Sequence, residues 1–278
     1  MTTTTIESLS NATVLITGAA MGMGKMYANL AVQDHAAHVV LWDINAELLE
    51  AAVAELSGRG STIHSHVVDV SKLEDIEAAA EKVRNDIGTP DILINNAGIV
   101  RGKYFWEHDQ RSDIATTMAI NALALMHITR EFLPAMIDGG RTSRIVNVAS
   151  AAGLLANPRM SVYSSSKWAA IGWSDSLRLE LKQAGHHHIK VTTFCPSYIK
   201  TGMFEGARGP LMTPLMEPSA VTERVWRAMK EGTPMLMMPW TVKLSTALRG
   251  ILPIAAWDVV AGRVFGVYKS MEHFTGRK

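Results

Sequence analysis

The 278-residue sequence predicts a doubly wound α/β domain, and three observations carry that prediction. Short apolar, β-branched runs recur along the chain, stretches of helical length and periodicity separate them, and a glycine-rich turn follows the first run. Strands that alternate with helices pair in parallel, because each right-handed crossover lays its helix back on the sheet.

The strands are expected at Ala12–Thr17, His38–Trp42, Ile63–Val68, Asp91–Asn95, Arg144–Ala149 and Lys190–Cys195. Between them Ala46–Leu56 and Asp75–Ile87 mix alanine and leucine with charge, and Gly58 and Gly88 stand where helix C-termini belong. Longer helices are expected over Asp113–Ile137 and Tyr163–Gln183. After the sixth strand Met203–Pro218 is rich in Gly, Pro and Met and reads as a mobile insertion, so residues 198–218 are assigned as a substrate loop. With no repeat and no linker between two cores, residues 1–278 form a single domain, of which 240–278 are a C-terminal extension.

Bulk properties narrow the function. The 27 basic residues balance the 26 acidic ones, which argues against nucleic acid and for a small-molecule partner. Cys195 is the only cysteine, which excludes an internal disulfide and fits a reducing, cytoplasmic compartment. Met1–Ser10 lacks the basic start and apolar centre of a signal peptide and reads as a frayed tail. Leu244–Val267 is broken by Arg249, Asp258 and Arg263, short of the roughly 20 clean residues that a spanning helix needs. It is expected to pack on the body or on another subunit, with membrane-surface contact as the second reading.

The first strand runs into Thr17-Gly18-Ala19-Ala20-Met21-Gly22-Met23-Gly24 and then a helix. Such a turn brings the backbone N–H groups of Gly18, Met21, Gly22, Met23 and Gly24, with the helix dipole, against a pyrophosphate. Asp43, 25 positions after Gly18 at the end of the second strand, can accept from both ribose hydroxyls and repel a 2′-phosphate, which predicts NAD over NADP. Its alternative role is an N-cap for the helix near Ala46.

The spacing G-x-x-x-G-x-G, together with Asp69-Val70, Asn95-Asn96-Ala97-Gly98 and Tyr163-x-x-x-Lys167, resembles the short-chain dehydrogenase/reductase family over Asn11–Gly202. The resemblance implies a single Rossmann-type domain in which Asp69 and Val70 contact the adenine and Asn95 to Gly98, Ala97 included, line the cofactor. It also implies that Asn121 holds, by its main chain, a water linking the lysine to solvent. In Cys195-Pro196-Ser197-Tyr198-Ile199-Lys200-Thr201 it implies that Pro196, Ile199 and Thr201 border the nicotinamide; Ser197 stands where the family commonly has glycine.

Hydride transfer to a carbonyl needs one acid/base near neutrality. Tyrosine ionises at about 10, but a lysine ammonium one helical turn away favours the phenolate. Tyr163 and Lys167 have that i, i+4 spacing, and Lys167 is further assigned to hold the ribose. Ser150, at the end of the fifth strand and 13 residues before Tyr163, can donate to the carbonyl oxygen, or alternatively cap a turn.

The expected substrate lining is apolar: Tyr104-Phe105-Trp106, Leu154-Leu155-Ala156, and Tyr198, Met203, Phe204, Leu211, Met212 and Met216. Arg101, Arg159 and Arg208 are weighed as anion contacts against ordinary solvated arginines. The ending from Phe265 to Lys278 resembles the retinol and 17β-hydroxysteroid dehydrogenase branch, which implies a bulky hydrophobic alcohol or ketone. His186-His187-His188 reads as a solvated turn, and no metal site is expected. The sequence thus points to an NAD-dependent alcohol dehydrogenase or ketoreductase, with homodimer or homotetramer assembly by analogy through the two long helices. The alternatives are an NAD(H)-sensing module without turnover and an NADPH-dependent carbonyl reductase.

Overall fold

A computed structural model describes residues 5–211 and 213–276. Met212, expected in the substrate lining, and the chain ends Met1–Thr4 and Arg277–Lys278 lie outside the described residues.

The chain runs β1 (Thr13–Thr17), α1 (Gly22–Gln33), β2 (His38–Asp43), α2 (Ala46–Leu56), β3 (Thr62–Val67), α3 (Leu73–Asp86) and β4 (Ile92–Asn95). A segmented helix follows, with π-turns at Gln110–Ala115 and Ala119–Leu123 flanking α4 (Thr116–Met118) and leading into α5 (Ala124–Gly139). Then come β5 (Ser143–Val148), α6 (Ser161–Gln183), β6 (Ile189–Pro196), α7 (Pro218–Glu231), β7 (Met235–Met238), α8 (Trp240–Ile251) and α9 (Ile254–Val259).

The strands form one seven-stranded sheet in the order β3-β2-β1-β4-β5-β6-β7, every pair parallel. Alternate residues serve opposite faces, as the strand period of two requires. Val14, Ile16, Val39 and Leu41 pack under Tyr27 and Ala31 of α1, Leu49 of α2, and Val225 and Trp226 of α7. Leu15, Val40 and Trp42 pack against Ile76 and Val83 of α3, Phe132 of α5, and Leu177 and Leu181 of α6. Burial on both faces explains why the inner strands read as nearly unbroken apolar runs, whereas β3 at the sheet edge is only partly covered. Because all strands point the same way, Thr17, Asp43, Asn95, Val148 and Pro196 end at one edge of the sheet, where doubly wound folds bind ligands.

Four local expectations need correction. β7 was not expected: its sequence, Met235-Leu236-Met237-Met238, lacks the β-branched residues that mark strands, and pairing with β6 alone creates it. The described part of the N-terminal tail is anchored rather than frayed, since Ile6 N–H donates to the Lys230 carbonyl at 3.0 Å and Leu9 is buried in the core. The helix expected over Asp113–Ile137 is interrupted by π-turns, one of them at Asn121. Lastly, the loop after β6 is tied to the chain end: Arg208 N–H donates to Ser270, Leu211 N–H to Phe265, and Thr275 N–H to Glu205, all at 2.9 Å. Leu244–Val267 forms α8, α9 and a π-turn, and among the described residues no helix is long and apolar enough to cross a membrane.

Candidate active site

At the carboxyl edge of the sheet a groove of about 400 Å³ runs from the ends of β2 and β3 to the start of α6. Its floor is the turn after β1, where Gly18 and Gly22 adopt φ of +62° and +54°, the region only glycine enters cheaply. Met21 and Met23 of that turn border the groove as well. Gly24 does not reach it; it lets α1 press on the turn, since a Cβ there would lie 1.9 Å from the Gly18 oxygen. Asp43 stands at the far end of the groove. One of its carboxylate oxygens accepts from Ala20 N–H at 2.9 Å, so it braces the glycine turn while closing the groove. The helix N-cap is Asn45, whose side chain accepts from Leu48 N–H at 2.9 Å, so the alternative role considered for Asp43 falls to its neighbour.

Asp69 and Val70 line the same end. Burial pushes the Asp69 carboxyl up, but the Ser71 hydroxyl and N–H and the nearby Lys72 outweigh it, and the group ionises below its ordinary value. The opposite wall is Asn96, Ala97 and Gly98. Asn95 corrects the sequence reading, which placed it along the cofactor. The alternation of β4 turns its side chain under the sheet, where its amide donates to Thr129 at 3.1 Å and Asn147 at 2.8 Å. Its neighbour Asn96 takes the groove position and donates to the Thr17 and Gly18 carbonyls at 2.9 and 3.1 Å, clamping the glycine turn to β4. Pro196, Ile199 and Thr201 form the remaining edge.

Ser150, Tyr163 and Lys167 meet at the near end of the groove. Ser150 lies two residues past β5, and its hydroxyl also accepts from Ala152 N–H at 3.1 Å, so the turn-cap role is present alongside its place in the groove wall. Tyr163 is 4% exposed, and burial holds its phenol up at about 12, opposed by the Ser150 hydroxyl. The value stands above the ordinary one rather than below it as the sequence led one to expect, with burial the largest cause and the Lys167 ammonium 5.8 Å from the ring centroid. Lys167 is itself buried, which brings it down to about 8, and its Nζ donates to the Val148 carbonyl at 2.8 Å. Asn121, fully buried, does not line the groove with its side chain. Its amide accepts from Ile99 N–H at 2.9 Å and donates to the Ile99 carbonyl at 2.8 Å and to Ser166 at 3.1 Å. It therefore fixes the segment after β4 that carries Gly98 to the helix that carries Lys167, from within a π-turn, a feature common at functional sites.

A second cavity, about 180 Å³, shares Ser150, Ser197 and Phe204 with the groove. Of the expected lining, Leu155, Tyr198 and Phe204 border this cavity and Met203 the groove. Tyr104, Phe105 and Trp106 do not; Trp106 is 79% exposed, and Tyr104 stacks on it and carries Arg159 over its face at 4.5 Å. Met216 joins the core, Leu154 packs beside Ile171 and Cys195, and Leu211 is exposed. Arg101 pairs with Asp113 at 3.3 Å, away from the groove. Among the described residues no cluster of three or more His, Cys, Asp or Glu could hold a metal ion, and His187 and His188 lie in a turn just before β6.

The family model described as "short chain dehydrogenase" matches residues 12–210. The chain belongs to the short-chain dehydrogenase family. It is 37% identical to human estradiol 17-beta-dehydrogenase 11 over 247 residues, covering 89% of this chain and 81% of that one. It is 34% identical to mouse epidermal retinol dehydrogenase 2 over 277 residues, covering 98% and 88%. Among solved structures it resembles a short-chain dehydrogenase/reductase from Burkholderia phymatum in complex with NAD, with a TM-score of 0.79, 24% identity and coverage of 87% and 94%. It also resembles a metagenomic short-chain oxidoreductase in complex with NADP, with a TM-score of 0.70, 28% identity and coverage of 83% and 96%.

The region matched to the short-chain dehydrogenase model ends before much of the second cavity is built. Thr213, Trp240, Thr241, Val242, Leu244, Phe265 and Val267 complete its walls, and sequence reasoning missed them as lining. The apolar residues Trp240, Val242 and Leu244 on α8 were the available signal; which surface they would cover depends on how α8 folds back over the edge of the sheet.

Proposed function

We propose that this short-chain dehydrogenase interconverts a bulky apolar alcohol and its ketone or aldehyde with NAD. The observation that carries the reading is continuity: a groove ending on Asp43 and an apolar cavity share Ser150, beside Tyr163 and Lys167.

The groove fits a dinucleotide on its own chemistry, with glycine backbone at the centre and carboxylates of Asp43 and Asp69 at the distal end. Asp43 favours an unphosphorylated ribose because a 2′-phosphate would face its charge. NAD, when bound, takes or supplies the hydride. Tyr163 carries the proton: at about 12 its phenol is protonated at neutral pH and ready to donate to an alkoxide oxygen. Ser150 holds that oxygen by donating its hydroxyl hydrogen. Lys167, largely an ammonium at neutral pH, favours the phenolate in the oxidation direction and holds ribose. Asn121 fixes the segment after β4 and the helix that border the lysine, and its main chain would hold the water that reloads the proton. Apolar walls such as Leu155, Tyr198, Phe204 and Phe265 suit a lipophilic body, in keeping with the steroid and retinol named for the two relatives.

The test is turnover across secondary and primary alcohols graded from small to steroid-sized, each with NAD⁺ and NADP⁺. The expected outcome is oxidation of large apolar alcohols with NAD⁺. Turnover confined to small polar alcohols, or preference for NADP⁺, would overturn the corresponding half of the reading.

A further inference from the structure

The corner between α8 and α9 exposes apolar surface that the body of the protein does not cover. Trp240, Leu244, Leu248 and Ile251 recur at i, i+4, i+8 and i+11, one stripe of α8. Trp240 is 61%, Leu244 43% and Ile251 79% exposed, and only Thr241 and Val242 of this helix are buried. The chain then turns through Ile251-Leu252-Pro253-Ile254-Ala255-Ala256, six consecutive apolar residues, with Ile254 80% exposed at the start of α9. Val259 and Val264 extend the patch at 48% and 54%. Leaving this much apolar surface exposed at one corner wastes burial that a sequence selected only for solubility would use or replace with charge.

The charges around the tip select the partner. Between Trp240 and Val264 the basic residues are Lys243, Arg249 and Arg263, all exposed, and the only acid is Asp258. Asp258 is engaged, accepting from the Tyr268 hydroxyl at 2.5 Å. A second copy docked through the same patch about a two-fold axis would set these like charges against one another. An apolar tip rimmed by cations instead matches the boundary between acyl chains and anionic headgroups. Trp240 and Leu244 are shared between this patch and the wall of the second cavity, so the cavity opens on the same side.

We infer that the α8–α9 corner docks on an anionic lipid surface, inserting Ile251 and Ile254 while Lys243, Arg249 and Arg263 meet headgroups. Docking places the mouth of the substrate cavity at the lipid boundary; that consequence, unlike the docking itself, rests on the proposed function.

The experiment is flotation of the full chain with phosphatidylcholine vesicles prepared with and without phosphatidylglycerol, read without any substrate. Wild type should float with the phosphatidylglycerol vesicles and release on raising the salt. The double variant Ile251→Asp/Ile254→Asp, checked for native circular dichroism and thermal unfolding, should bind about 100-fold or more weakly. Lys243→Glu/Arg263→Glu, which reverses two of the rim charges and leaves the apolar tip intact, should weaken binding to the anionic vesicles. Wild type that fails to float, or tip variants that float equally well, overturn the proposal. So does sedimentation showing that the tip substitutions split a dimer, which would make the patch an interface between copies. Vesicle binding without turnover would overturn the proposed function and leave the docking standing.

Discussion

The Nζ of Lys167 donates to the carbonyl of Val148 across 2.8 Å, a buried contact joining α6 to the carboxyl end of β5. Burial brings this lysine down to about 8 from 10.5. Below about pH 8 the ammonium is charged in folded and unfolded chains alike, and the cost of burying it is fully present. Between about 8 and 10.5 only the unfolded chain keeps the proton, so this residue's contribution to stability rises with pH across that window. The shift corresponds to roughly 3 kcal/mol at its fullest. Lys167→Met should flatten the rise, while leaving the Val148 carbonyl unpaired costs about 1–3 kcal/mol at every pH. Urea unfolding of both proteins at about pH 7 and about pH 9.5 checks this. Parallel pH dependences would show that native Lys167 keeps an ordinary affinity for its proton.

Tyr163→Phe removes one hydroxyl from a ring held edge-on by Phe204 at 6.0 Å, so the fold and groove should persist. Turnover should fall by roughly 10²–10⁴-fold with little change in NAD affinity. Because the wild-type phenol must ionise to accept a proton, alcohol oxidation should accelerate as pH rises toward the phenolate, and carbonyl reduction should not. Single-turnover rates and NAD titration distinguish this from a sensing module, which would bind NAD and have no turnover to lose.

Much of this was legible along the chain because the relevant patterns are local. Short apolar runs bounded by turn residues place the six expected strands within a residue or two of their observed ends, and Tyr163 and Lys167 share a helix face through spacing alone. What escaped depends on contacts distant in sequence. Asn95 and Asn96 look equivalent until the pleat of β4 sends one beneath the sheet and the other to the groove. β7 needs β6 to exist, and Leu9 has no apolar neighbours in sequence to mark it as core. The second cavity draws walls from Leu155, Tyr198, Trp240 and Phe265, a set no linear window contains.

Asp43→Ala should change cofactor choice through two effects. It deletes the charge that would face a 2′-phosphate, and it frees the Ala20 N–H now held at 2.9 Å. Loss of ribose hydrogen bonds to a carboxylate should weaken NAD by on the order of 10- to 100-fold, at about 1.5–3 kcal/mol per charged hydrogen bond. NADP should be less affected or gain. Ratios of kcat/KM for the two cofactors in wild type and variant measure it, and an unchanged ratio would remove Asp43 as the selector.

Gly24→Ala tests how closely α1 must approach the turn. A Cβ at residue 24 would lie 1.9 Å from the Gly18 oxygen and 2.8 Å from the Asn96 amide, both parts of the clamp that shapes the groove floor. Neither can retreat cheaply: Gly18 is backbone, and Asn96 is held by the Thr17 carbonyl at 2.9 Å. The helix must therefore shift, costing about 1–3 kcal/mol in stability and displacing the N–H groups that would receive the pyrophosphate. NAD affinity should fall with stability, whereas Gly139→Ala, where the added Cβ meets nothing within 4 Å, should leave affinity unchanged. Thermal unfolding with and without NAD measures both quantities in one experiment. An alanine at position 24 that lowers the melting temperature yet keeps the full NAD-induced stabilisation would show that the turn, although crowded, is not where the cofactor is held.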